Sequence, residues 1–152
     1  MKLLVLSDVH GHTRAMMRAV DAHNDADAVF FLGDGLRDVE EINEVYPRMR
    51  MYRVRGNCDY ACFDPLEGLT AFAGVAVYYT HGHLFGVKSG LEALANAAAS
   101  QGADVALFGH THQPYRQAWG GVTLFNPGAI AGGSYGVVRL DQGRASFSWE
   151  TV

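Results

Sequence analysis

Seven short apolar runs constrain this chain more than any other feature: LLVLS (3–7), AVFFL (28–32), MYRV (51–54), VAVYYT (75–80), DVALF (104–108), VTLF (122–125) and YGVVRL (135–140). They are rich in β-branched and aromatic residues, and several are apolar at almost every position rather than at alternate ones. A strand with one face in water alternates in polarity. Near-continuous apolarity therefore implies sheets covered on both faces.

What lies between the runs supplies the cover. Thr13 to His23 places Met16, Met17, Ala19 and Val20 on one helical stripe, and Val39, Ile42 and Tyr46 mark a shorter helix before Pro47. The third helical pattern is the clearest. Ser89 and Glu92 stand at capping-box spacing, Leu91, Leu94, Ala95 and Ala98 form the stripe, and Gly102 can terminate it. After Gly120–Gly121 no helical pattern follows, and residues 135–152 read as a hairpin turning at Asp141 to Gly143. There is no linker, repeat or low-complexity segment. The expectation is a single α/β domain over residues 1–152, mostly β toward its C-terminal part.

At 152 residues such a domain can bury on the order of two thirds of its unfolded surface without disulfides. Hydrophobic residues at 49% and charged residues at 18% exclude the disordered class. The net charge of −4 gives no general reason to bind nucleic acid, so any attraction for phosphate must be local. Met1 leads directly into KLLVLSD, too short an apolar run for a signal peptide or a membrane span, and the two cysteines, Cys58 and Cys62, form no disulfide framework. A cytoplasmic protein with no membrane partner is expected; a homo-oligomer is compatible with the chain, and Tyr60, Phe63, Phe72 and Phe85 fit either a partner surface or the core.

The polar residues cluster where the runs stop. Asp8 and His10 follow the first, Asp34 the second, Asn57 the third, His81 and His83 the fourth, His110 and His112 the fifth. Loops beyond the carboxyl ends of strands in α/β folds meet in one crevice, so these stretches can converge. Residues two apart on extended backbone point the same way, which pairs Asp8 with His10, His81 with His83, and His110 with His112. Glycines at 11, 33, 56, 82 and 109 permit tight turns or close approach to a ligand. Imidazoles, carboxylates and an amide, without a thiolate cluster, suit borderline to hard divalent ions: manganese, iron, zinc, nickel or magnesium. The candidates outnumber the ligands of one ion. Two ions sharing a carboxylate polarise a phosphoryl oxygen and lower the pKa of bound water, and Asp34, alone in its loop, is the natural bridge. The pocket would be positive in an acidic protein and draw a phosphate ester.

D-x-H-G, G-D, G-N-x-D, H-G-H and G-H-x-H, in this order over residues 8 to 112, resemble the calcineurin-like metallophosphoesterases. The short chain, the Cys in G-N-C-D and the later N-P-G at 126–128 resemble the small bacterial and archaeal phosphodiesterases of that superfamily. The resemblance implies a two-sheet β-sandwich flanked by helices and a binuclear centre. Asp8, His10 and His112 would hold one metal, Asn57, His81 and His110 the other, and Asp34 both, with manganese the leading choice. It implies a phosphodiesterase in which metal-activated hydroxide attacks phosphorus of a small phosphodiester in line. His83 has no ligand role in that scheme and would face the phosphate or leaving group. Many relatives carry His where Cys58 stands, and that His stabilises the transition state or protonates the leaving group, steadied by the following acid, here Asp59. A thiol is a weak donor with a reference pKa of ~8.5, so Cys58 replaces imidazolium poorly and esters with basic leaving groups should react slowly.

Bland readings stand beside these. Each motif alone is weak, Asn126–Pro127–Gly128 reads as a tight turn, His23 as an ordinary structural histidine, and Cys62 as a small packed hydrophobe. His12 falls where the family often has Asn and is left outside the site. Two alternatives to the diesterase remain: a weakly active or inactive binding scaffold, as the retromer scaffold subunit is within the superfamily, and a metal-dependent nuclease using Arg48, Arg50, Arg53 and Arg55 as a basic rim.

Overall fold

In the first strand, β1 (Lys2–Leu6), the side chains divide cleanly: Leu3 and Val5 belong to one buried cluster, Leu4 and Leu6 to another. This is the physical content of a strand that is apolar at consecutive positions, because each face meets a different apolar layer. A computed structural model describes residues 1–152 and places the strands in two five-stranded sheets.

The first sheet has the order β10-β9-β1-β2-β3, with β2 at Ala28–Phe31, β3 at Met51–Arg53, β9 at Ser134–Asp141 and β10 at Arg144–Thr151. The second has the order β4-β5-β6-β8-β7, comprising Glu67–Phe72, Val75–Thr80, Val105–Leu107, Val122–Pro127 and Pro114–Trp119. Strands β1, β2 and β3 run parallel, as do β5, β6 and β8. Antiparallel strands close the edges of both sheets, except at β3.

The inner faces meet in one cluster that joins Leu3, Val5 and Phe30 to Val77, Leu107 and Phe125. Outside the first sheet, Leu4, Val29 and Phe31 pack on Met16 and Val20 of α1 (Thr13–Ala22) and Val39 and Ile42 of α2 (Leu36–Val45). Outside the second, Tyr78, Ala106 and Leu124 pack on Leu94 and Ala98 of α3 (Glu92–Ser100). The layers run helix, sheet, sheet, helix, the expected sandwich. Each fully buried Leu, Val or Phe contributes roughly 1.5–3 kcal/mol, and all three apolar layers draw on that gain.

Three local expectations need correction. The Ser89–Glu92 capping box does not form: α3 begins at Glu92, its cap position is Leu91, and no side chain caps it. Strands β4 and β7 were not read from the sequence. Both sit at sheet edges with one face exposed, and β7 opens with Pro114, which an edge strand tolerates. The Ile130–Gly132 segment, past the last expected helix, forms a single 3-10 turn.

Candidate metal centre

The parallel strands deliver their C-terminal loops to one edge of the sandwich, and short hydrogen bonds lace those loops together. Asp8 N–H donates to Gly33 O (3.0 Å) and Val9 N–H to Asp34 O (2.9 Å), joining the loops after β1 and β2. Gly109 N–H donates to His81 O (3.0 Å), joining those after β6 and β5. Asp8 Oδ2 bridges the two sheets, accepting from Ser7 Oγ (2.6 Å) and from His110 N–H (3.1 Å).

All the ligand-type side chains expected from the sequence come together here. Asp8, His10 and His112 place one ligand atom each within 4.8 Å of one another, and so do Asp34, His81 and His110. His10 links the groups, with Nε2 3.3 Å from His112 Nε2 and 3.7 Å from Asp34 Oδ2. Asn57 Oδ1 lies 3.0 Å from His81 Nε2, which is also 3.2 Å from His110 Nδ1 and 3.3 Å from Asp34 Oδ2. His83, on the 3-10 turn His83–Phe85, sits with its ring centroid 5.4 Å from that of His81.

Two features mark this cluster as built for a cation. Asp8 Oδ1 is buried without a hydrogen-bond partner, 3.1 Å from His112 Nε2 and 3.5 Å from His10 Nε2. A buried carboxylate oxygen left unpaired is costly unless a cation belongs beside it. Asp8, His10, Asp34, His110 and His112 also have φ between 44 and 70°, a left-handed conformation that costs an L residue ~1–2 kcal/mol. Strain concentrated on the ligand-bearing residues points to function. With imidazoles, carboxylates and an amide oxygen converging, the residues present fit divalent ions.

Proton chemistry supports the same reading. His81 Nδ1 donates to Leu32 O (2.6 Å), which fixes the ring and leaves Nε2 toward the pocket. Burial pushes His81 down, but its hydrogen bond to Asp34 and the charges of Asp8 and Asp34 outweigh that and raise its pKa. Burial pushes Asp34 up, yet the hydrogen bond and charge of His81, with the Cys58 N–H, hold the carboxyl well below the usual range. A proton on His81 Nε2 thus stands where a cation would bind. Burial and the neighbouring His81 charge push His110 down to about 4, and the same two causes lower His83. Both rings are therefore neutral near pH 7.

The GNCD stretch departs from expectation. The Asp59 carboxylate accepts four backbone N–H groups: Oδ2 from Asp34 (2.7 Å) and Gly56 (2.8 Å), Oδ1 from Gly35 (2.9 Å) and Leu36 (3.0 Å). It caps α2 from another loop and pins the backbone of Asp34, and its hydrogen bonds run there rather than to Cys58. These bonds give Asp59 a positioning role toward Asp34 and the start of α2. Burial and the charges of Asp34, Asp59 and Asp8 push the Cys58 thiol up, so it is a still weaker acid than a free thiol.

The glycines serve the protein more than a ligand. A Cβ on Gly56 would meet Asp34 Oδ1 at 2.1 Å, and one on Gly109 would meet Ser7 Oγ at 2.0 Å. Sequence reasoning missed Ser7 as a buried partner of Asp8, and it missed Asn126. The Asn126 amide donates to Gly109 O (3.1 Å) and Thr111 Oγ1 (3.0 Å), while its Oδ1 accepts from Gly128 N–H (2.9 Å). The N-P-G stretch is thus a brace for the loop carrying His110 and His112. Of the proposed basic rim, Arg53 pairs with Glu40 (2.5 Å) and Asp64 (2.8 Å), and Arg55 donates to Cys62 O (3.2 Å). His12 is exposed at the α1 cap position and makes no capping bond. His23 is buried and pairs with Glu150 (2.8 Å) and Tyr135 rather than with any residue of the cluster.

Comparison with known proteins agrees with this geometry. A family model for the calcineurin-like phosphoesterase superfamily domain matches residues 1–143. Probable metallophosphoesterase YsnB of Bacillus subtilis is 33% identical over 86% of this chain and 75% of its own. Phosphodiesterase YfcE of Escherichia coli is 31% identical over 93% and 89%. A predicted phosphoesterase from Streptococcus pneumoniae superposes with a TM-score of 0.85 at 28% identity, covering 99% of this chain and 88% of the other. Vps29 of Entamoeba histolytica shares the fold alone, with a TM-score of 0.79 at 19% identity over 100% and 99%. The chain belongs to the calcineurin-like phosphoesterase superfamily, whose metallophosphoesterases use divalent metals. No helix is long and apolar enough to cross a membrane.

Proposed function

We propose that this chain is a binuclear metal-dependent phosphodiesterase acting on small phosphodiesters. Asp8, His10 and His112 would hold one ion, Asn57, His81 and His110 the other, and Asp34 both, with manganese the first choice. The observation that carries the reading is the buried Asp8 Oδ1 without a partner, facing two histidines. When bound, the ions would activate water and neutralise charge developing on the phosphoryl oxygens. The chain's own residues fix that chemistry in place. Asp59 and the Cys58 N–H hold Asp34, Ser7 and the His110 N–H hold Asp8, and the Leu32 carbonyl holds His81. His83, neutral and beside His81, can donate one hydrogen bond to the phosphate or leaving group.

Cys58 supplies no effective acid, so activated aryl or cyclic diesters should turn over faster than esters with basic leaving groups. Cys58→His should flatten the dependence of rate on leaving-group pKa; an unchanged slope would remove this explanation. A reducing compartment suits the two free thiols, Cys58 and Cys62.

The test is hydrolysis of a chromogenic aryl phosphodiester by protein stripped of metal and then given manganese. Wild-type protein should recover and Asp34→Asn should not. Failure of folded wild-type protein to recover with any divalent ion would favour the second reading, a binding scaffold, which the Vps29-like fold keeps in view. Cleavage that depends on oligonucleotide length would favour a nuclease.

A further inference from the structure

Once the seven ligand positions are assigned, His83 and Cys58 are left over beside the pocket, and of the two Cys58 stands in a close group with assigned ligands. Cys58 Sγ, a ring nitrogen of His10 and a carboxylate oxygen of Asp34 lie within 4.8 Å of one another, a limit that both expected ligand groups also meet. The sulfur is held near the bridging carboxylate by its own backbone, since Cys58 N–H donates to Asp34 Oδ1 (2.8 Å) while Asp34 Oδ2 faces His10 and His81. A second observation lies on the same side. The partnerless Asp8 Oδ1 is 3.5 Å from His10 Nε2, so a cation that satisfies Asp8 also sits next to the ring that Cys58 approaches.

We propose that Cys58 is a sulfur ligand to the ion on the Asp8–His10–His112 side. The proposal rests on the metal-centre reading above and deepens it. Metal–sulfur and metal–nitrogen bonds of ~2.3 and ~2.0–2.1 Å span up to about 4.4 Å between donors, and the exposed Cys58 side chain can close the small remainder by rotation. As the metal–sulfur bond forms, the S–H bond breaks and its proton passes to solvent. A bound cation reverses the effect of the surrounding carboxylates on the thiol. Asn57 Nδ2, 3.5 Å from Sγ, can then donate to the anionic sulfur. The consequence is a shift in metal preference. A thiolate favours zinc, cobalt or cadmium over manganese, and it occupies a coordination position otherwise open to water or substrate.

Cobalt(II) reconstitution of the full chain tests this without recourse to activity. Wild-type protein should show visible d–d bands and, in the near ultraviolet, a sulfur-to-cobalt charge-transfer band. Cys58→Ser should keep the d–d bands and lose the charge-transfer band, while Cys62→Ser, altered at the other cysteine of the same cleft, should keep both. In competition dialysis, Cys58→Ser should also weaken cadmium binding relative to manganese by about 10–100-fold. Wild-type d–d bands without charge transfer would overturn the sulfur ligand and leave the metal centre standing, as would a band that survives Cys58→Ser and disappears in Cys62→Ser. No d–d bands at all, in folded protein, would overturn both.

Discussion

Two of the regions where the backbone turns left-handed do so for different reasons. At the β9–β10 hairpin, Asp141 pairs with Arg144 and leaves Gln142 and Gly143, with φ of 48° and 79°, as a two-residue turn. That conformation is what joining two right-twisted strands requires. At the strand-end edge, Asp8, His10, Asp34, His110 and His112 adopt the same region without a hairpin to close, and all five carry ligand-type side chains. In the hairpin the geometry belongs to the chain path; at the edge it aims side chains into one space, and hydrogen bonds donated to Asp59 and donated by Ser7 and Asn126 hold it there. His10 lies in a tight turn closed by His12 N–H on Val9 O (2.9 Å), whereas Asp8 and Asp34 are tied by bonds between loops, so left-handed residues that join no pair of strands mark the functional edge.

Substitutions in the two regions should therefore differ in kind. Asp34→Asn keeps the shape and an oxygen for the Cys58 N–H but removes the bridging charge; kcat/KM for an aryl phosphodiester should fall by at least about 10³-fold. Gln142→Gly, at the hairpin, should leave that rate within about twofold. A hairpin substitution that matched the loss at Asp34 would dissolve the distinction.

Next in size is the scaffold behind the site. Asp59→Ala leaves four backbone N–H groups without their acceptor and should lower stability by about 3 kcal/mol, a fall of roughly 6–12 °C in Tm by calorimetry. Its loss of activity should follow from displacement of Asp34, so excess manganese should restore part of kcat. A wild-type Tm would show that the cap is dispensable.

Gly109→Ala drives a methyl group against Ser7 Oγ and Asp8 Oδ2, at 2.0 and 2.9 Å, and should weaken manganese binding about 10–100-fold by equilibrium dialysis. Gly120→Ala meets nothing within 4 Å and should leave metal affinity unchanged, although its φ of 62° costs some stability.

A pH effect is the subtlest. His81 has a raised pKa, so its pairing with Asp34 stabilises the metal-free protein below pH 6.5 and is lost as pH rises through that raised value. Metal needs the same nitrogen without its proton. Over that window the metal-free Tm should fall while the manganese-induced rise in Tm grows, by at most about 1.4 kcal/mol per pH unit for one proton. His110, held down to about 4, gives up no proton to metal near neutral pH, and its effect on the metal-free Tm, a rise with pH, is confined to the range between about 4 and its ordinary value of 6.5. A manganese shift that is flat across neutral pH would mean that His81 does not exchange its proton for metal.

How much of this was legible in the sequence depends on the range of each interaction. The apolar runs announced β1, β2, β5 and β6 because their two-faced burial is written locally, and the five motifs stand at strand ends where topology alone brings them together. The edge strands β4 and β7 lack that signal, whereas β10, also half-exposed at an edge, is legible through its alternating run and the turn at Asp141 to Gly143. The capping box at Ser89 failed because spacing permits a cap but does not compel one. The N-P-G turn forms as read, but the bracing roles of Asp59 and Asn126 stay hidden for a deeper reason: their partners lie 25 residues away at Asp34 and 15 away at Thr111. A window around G-N-C-D or N-P-G shows the donor or acceptor without the backbone it serves.

The central claim is that this edge of the sandwich holds two divalent ions bridged by Asp34. A crystal of the full chain soaked in manganese, with diffraction measured on the high-energy side of the manganese absorption edge, tests it directly. The account predicts two anomalous peaks ~3.5–4 Å apart, one beside Asp8, His10 and His112 and the other beside Asn57, His81 and His110, with Asp34 between them. A single peak, or peaks away from these residues, would contradict it.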